Sequence, residues 1–315
     1  MQQNIHACVA HLIIVTALVL ISACSGFTSR GTPPVPQIHV GTQGIVANFV
    51  GNTPPAQVLE EGKFDMLLEL HNQGATDVDD ALLSISTNPE YLDISIPQGQ
   101  SQLRLAGKSL NNPRGDKTLL SLKGFAGRVS QKTPVSVPIT TSICYPYATE
   151  AAPVVCIDTD PEGLKQQRKA CTAQAVSLGG SQGAPVAVTR IEVSSLPHDD
   201  PERVIPNFKI FIGNVGNGEV IDAQQVDSYC QGRPDKDAFN IVSLKARLQE
   251  SFLLCDKQIL KLKSQDAEEN YVQCELPQGI ERRIAAFSAP ITIILDYGYA
   301  FSVTRQINVV PRERS

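Results

Sequence analysis

Tryptophan is absent from the chain, and aromatic residues make up only 5% of it. That disfavours a platform for stacking sugars or bases, which needs flat exposed π-surfaces. Positive charge is also in short supply: 27 Lys and Arg face 32 Asp and Glu, for a formal net charge of −5. A phosphate-backbone binder needs the opposite balance, so nucleic acid is set aside. Past the first apolar run only His39, His71 and His198 remain. Nucleophilic catalysis needs a base beside Ser or Cys, usually His. His39 lies in a polar spacer, His71 at a strand end and His198 in the loop "LPHDDPE". No G-x-S-x-G occurs, and no Gly-rich phosphate loop precedes a helix. The chain therefore reads as non-catalytic and without a cofactor. No cysteine pair has C-x-x-C spacing, which argues against a zinc site or a thioredoxin-like motif.

What is present begins with "MQQNIHACVAHLIIVTALVLISAC". Its apolar run from Ala7 to Ala23 carries no charge and is short for a spanning helix, which needs about 20 apolar residues. It fits the apolar core of an export signal. Ile21-Ser22-Ala23-Cys24 resembles a lipoprotein signal, with Cys24 as the lipidated residue. No Lys or Arg precedes the run, so an uncleaved anchor helix over residues 1–23 and plain secretion stay open. All three place the remainder outside the cytoplasm. Membrane lipid is then a partner through the N-terminus. Residues 24–42 are rich in small residues and proline and read as a spacer.

The remainder repeats itself. "VPITTSICYPYATE" (Val137–Glu150) returns as "APITIILDYGYAFS" (Ala289–Ser302) at an offset of 152 residues. "FDMLLELHNQG" returns as "FKIFIGNVG" at an offset of 142, so about ten residues of loop are gained between the two pairs. Phe64, Met66, Leu68 and Leu70 fall at period two, as do Phe208, Ile210 and Ile212, the mark of half-buried strands. Each run stops at Asn-x-Gly. Short strands between Pro, Gly and Asn breakers suggest antiparallel sandwiches. The expected fold is all-β: two tandem immunoglobulin-like sandwiches over residues 43–160 and 183–312, with a connector at 161–182. Within the connector, Lys165–Ala170 reads as one helical turn and "CTAQAVSL" as an edge strand. Pro138 and Pro290 are expected to precede their strands, where they withhold no ladder bond. The tyrosine pairs Tyr145/Tyr147 and Tyr297/Tyr299 put their rings on one face, to cover an apolar layer with their hydroxyls wet.

Six cysteines follow Cys24: Cys144, Cys156, Cys171, Cys230, Cys255 and Cys274. An even count in an exported chain suggests disulfides. Short separations favour Cys156–Cys171 and Cys255–Cys274, leaving Cys144 and Cys230 joined or free. Cys144–Cys156 is the main competitor. Acidic turns offer weak calcium candidates: Asp77 and Asp79 in "ATDVDD", Asp199 and Asp200 in "PHDDPE", and a third cluster in "DTDPEG". None follows the EF-hand spacing, and solvated turns are the simpler account.

"GIVANFVGNTPP", "FDMLLELHNQG", "VCIDTDP", "GAPVAVTRIEV" and "FKIFIGNVGNGEV" resemble segments of exported archaeal surface proteins whose domains are similar to CARDB-class, immunoglobulin-like adhesion modules. The resemblance covers residues 43–312 and rests on turn and core positions. It implies a surface-exposed sandwich protein that contacts other envelope proteins or surface polymers, held at the outer face of the cytoplasmic membrane or cell surface. It carries over no catalytic residue. The alternative is an extracytoplasmic enzyme or a substrate-binding subunit, which the lack of helical periodicity disfavours.

Overall fold

The computed structural model describes residues 37–313, apart from 100, 180, 181, 264–266 and 284. Gln37–Ser315 is one compact unit. Among the described residues it is built almost wholly of β-strands in antiparallel sheets, with a single parallel pairing. The first half contains β1 (Ile45–Phe49), β2 (Gln57–Leu59), β3 (Lys63–Asn72), β4 (Val78–Ser86), β5 (Leu92–Ser95), β6 (Gln102–Leu105), β7 (Lys117–Ala126), β8 (Val135–Ala151) and β9 (Val154–Asp158). The second half opens with β10 (Val176–Ser177), β11 (Val186–Pro197), β12 (Arg203–Asn214), β13 (Glu219–Ile221) and one short helix, α1 (Val226–Cys230). It continues through β14 (Ile241–Leu248), β15 (Ser251–Phe252), β16 (Leu254–Cys255), β17 (Ile259–Lys261), β18 (Tyr271–Glu275), β19 (Ile280–Glu281) and β20 (Ala286–Val310).

Period two decides the layering. Phe64, Met66, Leu68 and Leu70 are all buried along β3, and Phe208, Ile210 and Ile212 along β12. Each such side chain contributes about 1.5–3 kcal/mol on full burial. In the first half a sheet ordered β1-β3-β7-β5 covers one face of the core. In the second half the order β11-β12-β18-β16 does the same, with β10 added at the edge. The opposite layer is shared. One ten-stranded sheet runs β15-β14-β20-β8-β4-β6 and serves both halves. This is an immunoglobulin-like layering in which the last long strand of each half is completed by the other.

The pairing of β8 with β20 explains the repeated stretch. It runs antiparallel from Val135↔Val309 to Ala151↔Ile293, with Tyr145 opposite Tyr299, Pro146 opposite Gly298 and Tyr147 opposite Tyr297. At the 152-residue offset Pro146 and Gly298 are each other's counterparts, so a local two-fold axis passes between them. Pro138 and Pro290 lie inside β8 and β20, not before them. Their carbonyls accept from Thr87 Oγ1 and Gln249 N, on the sides where β4 and β14 have stopped pairing. A missing N–H on that side breaks no ladder bond. In the connector, residues 165–170 form bends and no helical turn, whereas Val176–Ser177 pairs with β11 at the sheet edge.

Candidate functional site

The four tyrosines sit at the axis. Their rings contact one another, Tyr145–Tyr147 at 5.6 Å, Tyr145–Tyr299 at 6.0 Å and Tyr147–Tyr297 at 6.1 Å between centroids. The hydroxyls are buried, contrary to the expectation that they face water, because each replaces water with a backbone partner. Tyr145 Oη accepts from Ile45 N at 3.1 Å, and its counterpart Tyr297 accepts from Val186 N at 3.3 Å. Tyr147 Oη accepts from Thr76 N at 3.2 Å, and Tyr299 from Gly218 N. Ile45 stands opposite Asn72 and Val186 opposite Asn214, so the same bond is made at the same point of both halves. Burial raises all four hydroxyl pKa values, that of Tyr147 to about 12. These tyrosines are core.

The Asn-x-Gly turns match as well. Asn72 donates to Thr76 O at 2.9 Å and accepts from Gly74 N at 3.0 Å. Asn214 donates to Gly218 O at 2.9 Å and accepts from Gly216 N at 3.2 Å. Both glycines are required by close approach: a Cβ on Gly74 would lie 1.8 Å from Tyr147 Oη, and one on Gly216 2.3 Å from Tyr299 Oη.

The largest break in the symmetry is one of chain length. Ser84 pairs with Ser142 and Lys245 with Ile294, so β14 stands where β4 stands, while β13 takes the place of β4's beginning. Six positions separate Thr76 from Leu82, but 25 separate the equivalent Gly218 and Ser243. The extra chain is the loop between β13 and β14. Asp222 caps its 3₁₀ turn through Gln224 N at 2.9 Å, and α1 follows. Asp222 N bonds Ala238 O at 2.7 Å and closes the loop's base.

This loop lies on the outer face of the shared sheet, over the axis. Val226 packs where a Cβ on Gly298 would sit 2.6 Å from it. Ile221, Val226, Cys230 and Ala300 form a small core with Cys144, bordered by Leu82, Tyr229 and Phe239. Cys144 is bonded to Cys230, with 5.9 Å between Cα atoms, so the second half's loop is pinned to the first half's strand. The other bridges are Cys156–Cys171 and Cys255–Cys274. Beyond Cys230 the loop tip from Gln231 to Asp237 is exposed throughout. Beside it lies an open groove of about 760 Å³, bordered by Ser84, Ser86, Ser142, Glu219, Tyr229 and Phe239. The Tyr229 hydroxyl donates to Glu219 and is pushed up to about 12, first by burial and then by that carboxylate. The groove holds hydroxyls and one carboxylate, but no histidine or nucleophile–base pair. It can bind by hydrogen bonds. Residue spacing gave one signal for this loop, the rise in offset from 142 to 152, without its position.

The acidic turns are occupied by their own surroundings. Asp77 accepts from Gly107 N at 2.7 Å, Asp79 lies 3.8 Å from Arg104, and Asp200 accepts from Glu202 N at 2.9 Å. Asp199 is exposed in the same turn. In "DTDPEG" the Lys169 ammonium sits 2.7 Å from Asp158 Oδ2 and 2.8 Å from Asp160 O, where a cation would go. The Lys165 N–H, first among several donors, holds the Asp160 pKa low. Among the described residues no three His, Cys, Asp or Glu side chains converge as a metal set. Cys24 and the segment 1–23 lie outside the described residues.

No family model matches the chain, and no curated protein matches it. Among solved structures, the secreted serine protease VesC from Vibrio cholerae aligns at 8% identity and a TM-score of 0.22. That alignment covers 86% of this chain and 52% of the protease, so the chain spans about half the protease's length. The C-terminal domain of the Streptococcus pyogenes antigen I/II-family protein AspA aligns at 6% identity and a TM-score of 0.20, covering 86% of this chain and 100% of that one. A structure titled BspA_C_WT aligns at 8% identity and a TM-score of 0.21, covering 85% and 99%. Similarity this low carries no argument about function.

Proposed function

We propose that this protein is exported, anchored through its N-terminus and active at the outer face of the cytoplasmic membrane or cell surface. It acts by binding other envelope proteins or surface polymers, without turnover. Three disulfides support an oxidising compartment. The resemblance to CARDB-like adhesion modules supports the same reading. One observation carries it: the largest departure from internal symmetry is an exposed loop fastened by Cys144–Cys230 to a rigid sheet. Binding residues concentrate on such loops, positioned by a scaffold.

The loop is tested with a photo-cross-linker at Lys236, compared with one at the exposed Gln131, on intact cells. Adducts to a defined envelope component from Lys236 and not from Gln131 support the reading. Equal labelling from both positions overturns it. The anchor is tested by Cys24→Ser and partition between membrane and medium. One acyl chain gives only marginal attachment, so stable retention requires more than one chain at Cys24 or an uncleaved helix. Under the lipoprotein reading the variant loses lipid and enters the medium. Retention of an unlipidated wild-type chain beginning at Met1 replaces the lipid anchor with a helix.

A further inference from the structure

Internal symmetry gives residues on the matched strands a counterpart, and one outer face has diverged in kind. In the first half, β3 and β7 place Asp65 opposite Lys123, Leu67 opposite Ser121 and Glu69 opposite Leu119. That face closes on itself, with Lys123–Asp65 at 2.6 Å and Lys117–Glu69 at 3.2 Å. At the equivalent positions β12 and β18 place Asn207 opposite Glu275, Lys209 opposite Gln273 and Phe211 opposite Tyr271. This face does not close. Asn207 is buried to 5% exposure and accepts from Gln273 Nε2 at 3.3 Å, but its own Nδ2 has no partner. Lys209 Nζ lies 4.1 Å from the Tyr271 ring centre and 4.8 Å from that of Phe211, with no carboxylate within ion-pair range among the described residues.

Asn207 borders a cleft of about 300 Å³ lined also by Leu254, Cys255, Asp256, Gln273 and Glu275. Its chemistry selects among ligands. An anion meets Asp256 and Glu275. A metal cation meets the Asn207 amide donor and the neighbouring Lys209. A hydroxyl both donates and accepts, so vicinal hydroxyls can take Asn207 as donor and Glu275 or Asp256 as acceptor. Leu254 is 62% exposed at the rim and offers an apolar surface to the C–H face of a ring. We propose that this cleft binds a neutral sugar ring of a surface polysaccharide, through hydrogen bonds and not aromatic stacking. The cations over Tyr271 and Phe211 leave those rings unsuited to stacking. The proposal rests on the binding reading above but uses a different face from the loop, so either can fail alone.

The test is saturation-transfer nuclear magnetic resonance on the solubilised full-length protein. Probes are the methyl glycosides of glucose, galactose, mannose and N-acetylglucosamine, with acetate as an anionic control. At least one glycoside is expected to saturate. Asn207→Asp removes the donor and should weaken that glycoside about tenfold, the size of one hydrogen bond to a buried group. Leu254→Ser, at an exposed position, should weaken it too and decides the matter if Asn207→Asp does not fold. Asp65→Asn, at the equivalent place in the first half, should change nothing. The proposal falls if no glycoside saturates, in which case ordered water satisfies Asn207. It also falls if acetate alone saturates, or if folded Asn207 and Leu254 variants bind like wild type.

Discussion

The two halves agree inside the shared sheet and disagree on its surfaces. At the axis, Tyr145 and Tyr297 make the same bond to the same strand position, as do Tyr147 and Tyr299 to the following turn. Outside, only the second half carries the long β13–β14 loop. The difference separates two kinds of constraint. Positions that satisfy buried backbone groups cannot drift in one copy without leaving a donor unpaired. Surface positions can, and where they have drifted together the change reads as function. Leu68 and Ile210 stay apolar and buried in both halves, while Asp65 and Asn207 differ.

The largest expected effect breaks the one covalent link across the axis. Cys144 and Cys230 are 86 residues apart, so the double alanine variant should lose about 4.5 kcal/mol in the chain-entropy account. The Cys156–Cys171 pair, 15 residues apart, should lose about 3 kcal/mol. Denaturant unfolding of the two double variants gives the ranking. A smaller loss at Cys144/Cys230 would mean the loop adds nothing to the join between halves.

The next effect probes the likeness of the halves. Gly74→Ala and Gly216→Ala each drive a Cβ into a buried tyrosine hydroxyl, and overpacking of this kind costs about 3 kcal/mol. Tyr299→Phe should recover part of the loss in Gly216→Ala, because it removes the nearest clashing atom. Thermal unfolding of the single and double variants measures the coupling. No coupling at Gly216 would break its equivalence with Gly74.

Alkali acts on both halves at once. Burial raises the Tyr147 hydroxyl to about 12, against about 10 in the unfolded chain, so the native state holds its proton longer. The stabilisation is full below about pH 10 and is lost as pH rises towards 12, about 3 kcal/mol for this residue. Tyr145, Tyr297 and Tyr299 shift the same way and steepen the fall. The part of the tyrosinate absorbance that these four residues contribute should therefore rise together with unfolding, not before it. Ionisation of all seven tyrosines near pH 10 in the folded protein would contradict the burial.

Much of this architecture was legible in residue order because period two reports which side of a strand is buried. Phe64 to Leu70 and Phe208 to Ile212 announce their strands that way, and Asn-x-Gly announces the turns. Periodicity does not report which strand lies alongside. The pairing of β8 with β20 joins residues far apart in the chain, and nothing local to Val137–Glu150 names Ala289–Ser302 as its neighbour. The tyrosines show the same gap: spacing put their rings on one face, but the hydroxyl partners Ile45 and Val186 come from another sheet. Lys165–Ala170 has helical composition, yet Asp160 takes the Leu164 and Lys165 N–H groups and Cys156–Cys171 closes the segment. The loop site was the least legible, since an insertion shows only as a changed offset until register fixes where β4 and β14 coincide.

The smallest effect lies in the difference between two equivalent turns. Asn72 is fully buried and bonds Thr76 O, Leu105 O and Gly74 N. Asn214 is exposed and bonds only Gly218 O and Gly216 N. Alanine at Asn214 removes two bonds whose backbone partners can turn to water, a cost of about 1 kcal/mol. Alanine at Asn72 leaves buried groups without water, including the Leu105 carbonyl on β6, and should cost about 2.5 kcal/mol. The gap, about 1.5 kcal/mol by the same reasoning, measures how far one motif depends on its surroundings. Urea unfolding of the two single variants and the double variant resolves it. Equal losses would show that the local turn sets the energy. Losses in the expected order would show that β6 packing against the first half's turn does.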